Sequence, residues 1–229
     1  MVEIRLVKNA AELERIPDLE QAIWGNSDPV PASLMRVMVD HGGGVWVALD
    51  GDVWVGFAMA LAARDECGWY LHSHQAGILA PYRYRGVGRS LKWAQRTWAL
   101  HEGYTRIGWT FDPLRAANAH FNLTILGARV THYFSDYYGV LDSDLNRGLP
   151  TDRVFCEWNL ATSDFQCGSS AKPSLAIEIP EDIGRLKQED PAAALAWQQR
   201  IRDQLTAYLN PGTSISRFER FPTPRYILT

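Results

Sequence analysis

Three arginines and two glycines occur in the short segment 83–89, which reads RYRGVGR. Gly86 and Gly88 lack a Cβ atom, so the backbone N–H groups beside them can approach a phosphate closely. A helix is predicted to begin at this point, and the positive end of its dipole favours an anion there. The three arginines, Arg83, Arg85 and Arg89, can complete the neutralisation of a pyrophosphate. The residue types and their spacing predict a pyrophosphate-binding loop.

Two other phosphate motifs and an ordinary loop compete with this interpretation. A Walker loop requires Gly-Lys-Ser/Thr after a four-residue gap, and the sequence has no such string. A dinucleotide fingerprint requires a third glycine where Leu91 stands, although Asp112 lies at a tolerable distance for a ribose contact. A Gly-x-Gly pair also occurs at ordinary helix starts. A nicotinamide-dependent enzyme and an ordinary loop therefore stay open at this point.

His72 and His74 lie two residues apart on a predicted strand, so both side chains are expected on one face. An alkyl ammonium has a pKa of about 10 and must lose a proton before its nitrogen attacks a carbonyl carbon. Imidazole has a suitable pKa for taking that proton directly or through water. His120 is a further candidate base. A hydrogen-bonded role in a half-buried strand explains the two strand histidines equally well, and no third ligand is evident for a metal site.

The periodicity of apolar residues predicts the elements that position these groups. A hairpin is predicted around Asp50-Gly51-Asp52, because an Asp-Gly pair can take the positive φ of a tight turn. The predicted strands cover 2–7, 45–49, 53–63, 69–79, 105–111, 129–138 and 154–160, and the predicted helices cover 10–24, 31–41, 88–101 and 116–126. This order is typical of an α+β domain.

A second, smaller unit is predicted after a small-residue stretch. The interpretation places a catalytic domain at 1–160, a linker at 161–173 and an α+β subdomain at 174–229. The subdomain has a strand at 174–179, a helix that begins at Asp190-Pro191, and terminal strands. An apolar stripe runs along its helix through Ala194, Trp197, Ile201, Leu205 and Tyr208. That stripe suits a homodimer interface, a cover for the core, or a cap over the acceptor cleft.

Composition bounds the class of protein. The 229 residues are 46% hydrophobic and carry a formal net charge of −3, which argues against nucleic acid as a partner. Three cysteines without a C-x-x-C spacing favour a reducing, cytoplasmic setting over a disulfide framework. The N-terminus lacks the pattern of a secretory signal, and charges interrupt every apolar run before the ~20 residues that span a bilayer. We therefore expect neither export nor a membrane helix.

The string R-x-x-G-x-G, after a strand and opening a helix, resembles the CoA-binding motif of the GNAT acetyltransferases. The predicted order of elements over roughly 1–160 is also similar to the GNAT core, a mixed, mostly antiparallel sheet flanked by helices. Within the superfamily the chain looks most like a poorly characterised group of predicted acetyltransferases with a His-Ser-His strand and a long C-terminal extension. The resemblance names no substrate.

The resemblance implies which residues hold acyl-CoA. Backbone groups of the strand before the loop would hold pantetheine and polarise the thioester carbonyl, and a later helix would contact the cofactor arm. Carried over, the cofactor-binding residues are Gly77, Ile78, Leu79, Arg83, Tyr84, Arg85, Gly86, Val87, Gly88, Arg89, Asn118, Phe121 and Asn122. The chain departs from the family at Leu123, where many members have a tyrosine that protonates the leaving thiolate.

A thiol's ordinary pKa of about 8.5 makes CoA thiolate a tolerable leaving group without an acid. Tyr138 is the candidate acid from the next predicted strand, with Tyr133 and Tyr137 beside it; packing explains each of the three as well. Arg115 is the candidate partner for an acceptor carboxylate.

The sequence thus predicts an N-acyltransferase that uses acetyl-CoA or another short acyl-CoA, such as succinyl-CoA, without a metal. The expected acceptor is a primary amine on a small molecule such as an amino acid. Direct attack on the thioester would be assisted by His74 or His72 as base. The alternative is a CoA-binding regulatory or interaction module without turnover, which the missing tyrosine and the extra subdomain motivate.

Overall fold

The computed structural model describes residues 2–25, 29–139, 149–160, 175–210 and 212–228. Contacts divide the chain into two compact units, Met1–Gly108 with Asn159–Ala161, and Trp109–Trp158 with Thr162–Thr229. The predicted linker at 161–173 lies outside the described residues. The predicted domains 1–160 and 174–229 therefore stay predictions.

Among the described residues, five strands of the main sheet begin in the first unit. They are β1 (Glu3–Leu6), β2 (Gly44–Asp50), β3 (Val53–Asp65), β4 (Gly68–Ile78) and β5 (Arg106–Phe111), whose last residues belong to the second unit. Their order is β1-β2-β3-β4-β5, antiparallel except for the parallel pair β4 and β5. The β2–β3 hairpin turns at Gly51, whose φ of 59° confirms the predicted Asp-Gly turn.

Four helices lie in the described part of the first unit. They are α1 (Ala10–Leu13), α2 (Ile16–Trp24), α3 (Ala32–Asp40) and α4 (Val87–His101). The prediction of one helix over 10–24 was wrong, because the helical conformation is interrupted between Leu13 and Ile16. Pro17 has no N–H to donate, and its ring would collide with the Leu13 carbonyl in a continuous helix. Ile16 and Met35 nevertheless pack fully buried in one cluster with Phe57 of β3.

The second unit begins with a short helix and two strands. Helix α5 (Ala116–Ala119) continues into a π-helical segment at His120–Ile125. Strand β6 (Arg129–Phe134) pairs antiparallel with β7 (Arg153–Asn159). The prediction of a strand over 129–138 was too long, because the chain turns after Phe134 and Asp136 takes a φ of 48°. Tyr137 and Tyr138 therefore lie in a turn, not on the strand.

The C-terminal extension forms a three-stranded sheet and two helices. Its elements are β8 (Leu175–Glu178), α6 (Ile183–Glu189), α7 (Pro191–Tyr208), β9 (Arg217–Glu219) and β10 (Arg225–Leu228), with the strand order β8-β10-β9. Helix α6 was not predicted. Its N-cap is Asp182, whose carboxylate accepts a hydrogen bond from the N–H of Arg185 at 3.1 Å. The α+β class and the appended subdomain elements are confirmed.

The predicted stripe of α7 is largely buried within the second unit. Ala194, Ile201 and Leu205 are inaccessible to solvent, whereas Trp197 is half-buried. Gln198 lies on the same face, and its Nε2 donates to the carbonyl of Pro150 at 2.7 Å. The stripe thus covers the core of its own unit. Among the described residues, no helix is both long and apolar enough to cross a membrane.

Candidate active site

The loop between β4 and α4 has the geometry that its glycines predict. After a 3₁₀ turn at Ala80–Tyr82, Tyr84 and Gly86 take left-handed φ values of 62° and 83°. Gly86 is the N-cap residue of α4, and within the described residues no side chain hydrogen-bonds to the first turn of that helix. A Cβ at Gly86 would have nothing within 4 Å. The first-turn N–H groups of this 15-residue helix therefore have no side-chain cap among the described residues, next to an open position at Gly86.

The three arginines of the loop are exposed but differ in their contacts. Arg83 donates from Nε to the Ile78 carbonyl at 3.1 Å and from NH2 to the Ile23 carbonyl at 3.5 Å. Arg83 thus ties the end of β4 to α2, which is a structural use that its predicted phosphate role did not include. The guanidinium of Arg85 lies 5.8 Å from the Tyr82 ring centroid, and that of Arg89 lies 6.0 Å from the Trp93 ring centroid.

Strand β4 is irregular at His74. Gln75 faces Met59 of β3 and Ser73 faces Ala60, so His74 is one extra residue in β4. Such a bulge bends the strand and redirects the side chains around it. On its other edge β4 pairs with β5 in parallel through Leu71 and His72.

Gly77 has a packing reason to be glycine. A Cβ at this position would lie 2.7 Å from Cζ2 of Trp24 and 3.1 Å from two atoms of Ile23, because α2 crosses the strand there. The close approach of α2 therefore depends on Gly77, independently of any contact between its backbone and a cofactor.

The two strand histidines lie together, as predicted. Their ring centroids are 6.3 Å apart and both side chains are half-buried. Burial lowers the pKa of His72 to about 4, and the nearby charges of His74 and Lys92 act in the same direction. Burial also lowers the pKa of His74. Both imidazoles are neutral at pH 7 and can accept a proton, but His72 is a weak base.

A buried polar network packs behind this strand, and the sequence analysis missed it. Lys92 of α4 donates from Nζ to Ser73 Oγ at 2.6 Å, and Ser73 Oγ donates to Gln95 Oε1 at 3.0 Å. Lys92 is 4% exposed and Gln95 is fully buried. The available signal was the i, i+3 spacing of two polar residues on the apolar face of α4, beside Leu91 and Ala99.

A second overlooked group is Glu20 of α2, whose side chain is fully buried. Its Oε2 accepts a hydrogen bond from the N–H of Val30 at 3.3 Å, and the side chain of Gln75 lies near enough to favour the charged carboxylate. Burial raises the pKa of Glu20 to about 7, against the opposing effect of these two groups. A carboxyl that titrates near neutral pH therefore lies beside the residue that follows His74.

The second unit carries the remaining predicted residues. Within α5 and the π-helical segment, Asn118 is exposed, Phe121 is half-buried and Asn122 is buried. Leu123, at the position of the family tyrosine, is buried as well. Arg115 precedes α5, with its Nε 3.5 Å from Asp112 Oδ2.

The hydroxyl of Tyr138 lies 3.0 Å from Thr110 Oγ1 in the second unit. The guanidinium of Arg153 lies 5.2 Å from its ring centroid. Tyr138 is therefore held by a polar contact at its hydroxyl and a cation at its ring, and 37% of its surface is exposed. Among the described residues, no group of three or more His, Cys, Asp or Glu side chains is arranged to hold a metal ion.

Comparison with known proteins decides the family. The model of the acetyltransferase (GNAT) family matches residues 11–123, which include β4, the loop, α4 and α5. The protein carries a GNAT acetyltransferase domain. The match supports acyl-CoA-dependent N-acetylation in general, and not a nicotinamide-dependent reaction. Among curated proteins, none matches the sequence.

Solved structures show the same fold at low sequence identity. The GNAT chain is similar to the ribosomal-protein-S18-alanine N-acetyltransferase from Escherichia coli, with a TM-score of 0.56, 14% identity, and coverage of 74% of this chain and 100% of that one. It is similar to yncA, a putative acetyltransferase from Salmonella typhimurium solved with acetyl-CoA. The TM-score is 0.54 and the identity 18%, and the match covers 75% of this chain and 99% of that one. It is also similar to Arabidopsis thaliana Naa50 in complex with a bisubstrate analogue. Here the TM-score is 0.55 and the identity 17%, and the match covers 69% of this chain and 98% of that one. These likenesses support the fold alone.

Proposed function

We propose that this protein transfers an acetyl group, or another short acyl group such as succinyl, from acyl-CoA to a primary amine. The proposed acceptor is a small molecule such as an amino acid. The observation that carries the proposal is the start of α4, where Gly86 takes a left-handed conformation, has open space at its Cβ position and leads into an uncapped helix N-terminus. Acyl-CoA supplies an activated thioester and an anionic pyrophosphate by which it is held.

The residues of the loop fit a pyrophosphate. The N–H groups of Val87, Gly88 and Arg89 belong to the first turn of α4 and lack a carbonyl partner within the helix. Arg85 and Arg89 are exposed and add positive charge at the same end of the helix. Arg83 fixes the end of β4 through the carbonyl of Ile78, so it positions the loop as well as adding charge. The backbone of Gly77, Ile78 and Leu79 is the proposed contact for pantetheine.

His74 is the proposed general base. An amine with a pKa of about 10 is mostly protonated at neutral pH and must lose a proton before it attacks. His74 is neutral, half-buried, and projects from the bulge of β4. His72 shares its environment, but a pKa of about 4 makes it a poorer proton acceptor at neutral pH. We therefore assign proton removal to His74, directly or through a water molecule.

The alternative is a CoA-binding module without turnover. Two observations favour it: Leu123 is buried at the position where many GNAT members have a tyrosine, and the pKa of His72 is far below neutral. Tyr138 is the proposed substitute acid, on the strength of its polar contact with Thr110. Loss of turnover with retained CoA binding separates the two functions.

Calorimetric titration with acetyl-CoA and succinyl-CoA tests the cofactor. Gly86→Glu places a carboxylate at the proposed phosphate site and should abolish binding. Gly51→Glu is the matched control, because Gly51 also has a positive φ and open space around its Cβ position but lies in the β2–β3 turn. Equal loss in both variants, or no binding by the wild type, contradicts the proposed site.

Turnover with a panel of primary amines tests the chemistry. We expect His74→Ala to lower kcat by about 10²–10⁴-fold without weakening CoA binding, because a positioned base contributes roughly this factor. His72→Ala should have a smaller effect. Absence of acyl transfer and thioester hydrolysis by a wild type that binds CoA would favour the module.

A further inference from the structure

Tyr84, in the loop between β4 and α4, is the most exposed large hydrophobic residue in the described part of the chain. It is 91% exposed, whereas the next, Phe221, is 77% exposed. Its φ of 62° lies in the left-handed region, which is rare for a bulky residue. A ring in water buries no apolar surface, and the left-handed conformation costs free energy in any residue with a Cβ. The packing of the fold therefore gives no reason for a tyrosine at this position.

The residues on both sides of Tyr84 fix the backbone that carries it. The hydroxyl of Tyr82 donates to Asp50 Oδ2 at 3.1 Å, which ties the loop to the β2–β3 hairpin. Arg83 ties the loop to the end of β4 and to α2 through two backbone carbonyls. On the other side the chain enters α4 at Gly86. A strained conformation persists where its surroundings impose it, so the loop holds the Tyr84 backbone in place and presents the ring to solvent.

The other non-glycine residue with a positive φ in the described part of the chain has a local reason for it. Asp136, with a φ of 48°, accepts hydrogen bonds at Oδ1 from the N–H of Thr151 at 3.0 Å and from its hydroxyl at 3.2 Å. A short polar side chain that bonds locally offsets the cost of this conformation. The side chain of Tyr84 makes no hydrogen bond or ring contact with any described residue. Its conformation is therefore explained by a partner outside the chain.

The loop that carries Tyr84 is also the proposed pyrophosphate site. Acyl-CoA has one aromatic group, an adenine that a ribose joins to the pyrophosphate, and a purine stacks on an aromatic side chain through its π face. We propose that the ring of Tyr84 binds the adenine of acyl-CoA by stacking. This inference deepens the proposed function and rests on it, because the pyrophosphate brings the adenine to the loop. The ring then determines affinity for the cofactor and has no part in the choice of acceptor.

Calorimetric titration of the full chain with acetyl-CoA and with inorganic pyrophosphate tests the stacking. Pyrophosphate occupies the phosphate site without an adenine, so only acetyl-CoA should depend on the ring. Tyr84→Ala should weaken acetyl-CoA binding by at least about fivefold and leave pyrophosphate binding unchanged. Tyr84→Phe keeps the ring and should bind both probes like the wild type.

Tyr84→Gly separates the ring from the backbone. Glycine accommodates a positive φ, so this variant should melt about 2–4 °C above Tyr84→Ala while binding acetyl-CoA as weakly. Trp69→Ala is the control for removal of an exposed ring, because Trp69 is 63% exposed near the opposite end of β4 from the loop. It should leave the affinity for both probes unchanged.

Equal affinity of the wild type and Tyr84→Ala for acetyl-CoA overturns the inference. So does a parallel loss of acetyl-CoA and pyrophosphate binding in Tyr84→Ala, because the loop itself has then changed. Wild-type affinity for acetyl-CoA in Tyr84→Gly overturns it as well, since the backbone and not the ring would then decide binding. Failure of the wild type to bind acetyl-CoA overturns the proposed function, and the inference with it.

Discussion

Lys92 Nζ lies 2.6 Å from Ser73 Oγ, inside the interface between α4 and β4. Ser73 sits between the two histidines of β4, and Lys92 belongs to the helix whose N-terminus carries the proposed phosphate site. A buried hydrogen bond to a charged group contributes more than a neutral one, and it is costly to break on one side. This hydrogen bond thus fixes α4 and β4 to each other at one point.

Lys92→Met should raise the pKa of His72 towards its ordinary value, because burial and His74 would then act without the ammonium charge. The imidazole proton resonances, followed by NMR over pH 3–8, measure this. Lys92→Arg keeps the charge and should leave the pKa of His72 low. The methionine variant should also lose ~1–3 kcal/mol in the free energy of unfolding, since the buried hydroxyl of Ser73 loses its donor. An unchanged titration of His72 would show that the charge of Lys92 does not reach it.

Glu20→Gln should flatten the pH dependence of stability between pH 4.5 and 7. The pKa of Glu20 rises from 4.5 to about 7 on folding, so the folded protein binds the extra proton. Stability from this group is fully present below pH 4.5 and is lost as pH rises to 7, by about 3 kcal/mol at most. Urea denaturation across this range measures it. Glu14→Gln, at an exposed position, should leave the wild-type slope in place.

Arg202→Met should destabilise the protein by ~3–5 kcal/mol at pH 7, because it leaves the buried carboxylate of Asp152 without its cation. Burial acts to raise the pKa of Asp152, but the hydrogen bonds from Arg202 and Tyr133 outweigh it and hold the pKa below its usual value. This stabilisation is present above the ordinary pKa and is lost as pH falls through the folded value. Urea denaturation at pH 7 and at pH 3 checks the sign.

Two further variants serve as controls for the prediction on Arg202→Met. Arg200→Met, on the same helix but exposed, should change the free energy of unfolding by less than ~0.5 kcal/mol. Asp152→Asn combined with Arg202→Met should recover part of the loss, because no charge is then left buried. A loss of under ~1 kcal/mol in Arg202→Met would mean that Asp152 is already neutral or reached by water.

The features visible in the sequence are those that rest on local chemistry. The hairpin at Gly51 and the loop at Gly86 each depend on a positive φ that glycine accommodates, so residue type and neighbours suffice to predict them. The interruption between α1 and α2 is also a local effect, because it is caused by Pro17. The prediction missed it because the spacing of apolar residues across 10–24 fits one continuous helix. Helix α6 is only seven residues long and contains Gly184, so periodicity had too little length to show it.

The rest depends on contacts between residues distant in sequence. Lys92 on an apolar helix face means little until Ser73 is known to lie opposite. The pKa of Glu20 follows from its complete burial, which no local pattern reveals. Lys187 and Arg115 are 72 residues apart in sequence, and only the fold brings them to one carboxylate. The sequence was enough to predict the loop at Gly86 and the histidine pair on β4. The partners of the acidic groups became visible only in the structure.

Gly77→Ala separates packing from cofactor contact on β4. Its new Cβ would lie 2.7 Å from Trp24, whose ring also packs edge-on against Phe57 at 5.5 Å. Overpacking of this kind costs ~1–3 kcal/mol, measured as a drop in the free energy of unfolding. Adding Trp24→Leu makes room and should restore part of that stability. If CoA affinity in the double variant then matches that of Trp24→Leu alone, the backbone of Gly77 still serves the cofactor with a side chain present, and the glycine is required by α2. If affinity stays low while stability recovers, the requirement comes from the cofactor side of the strand.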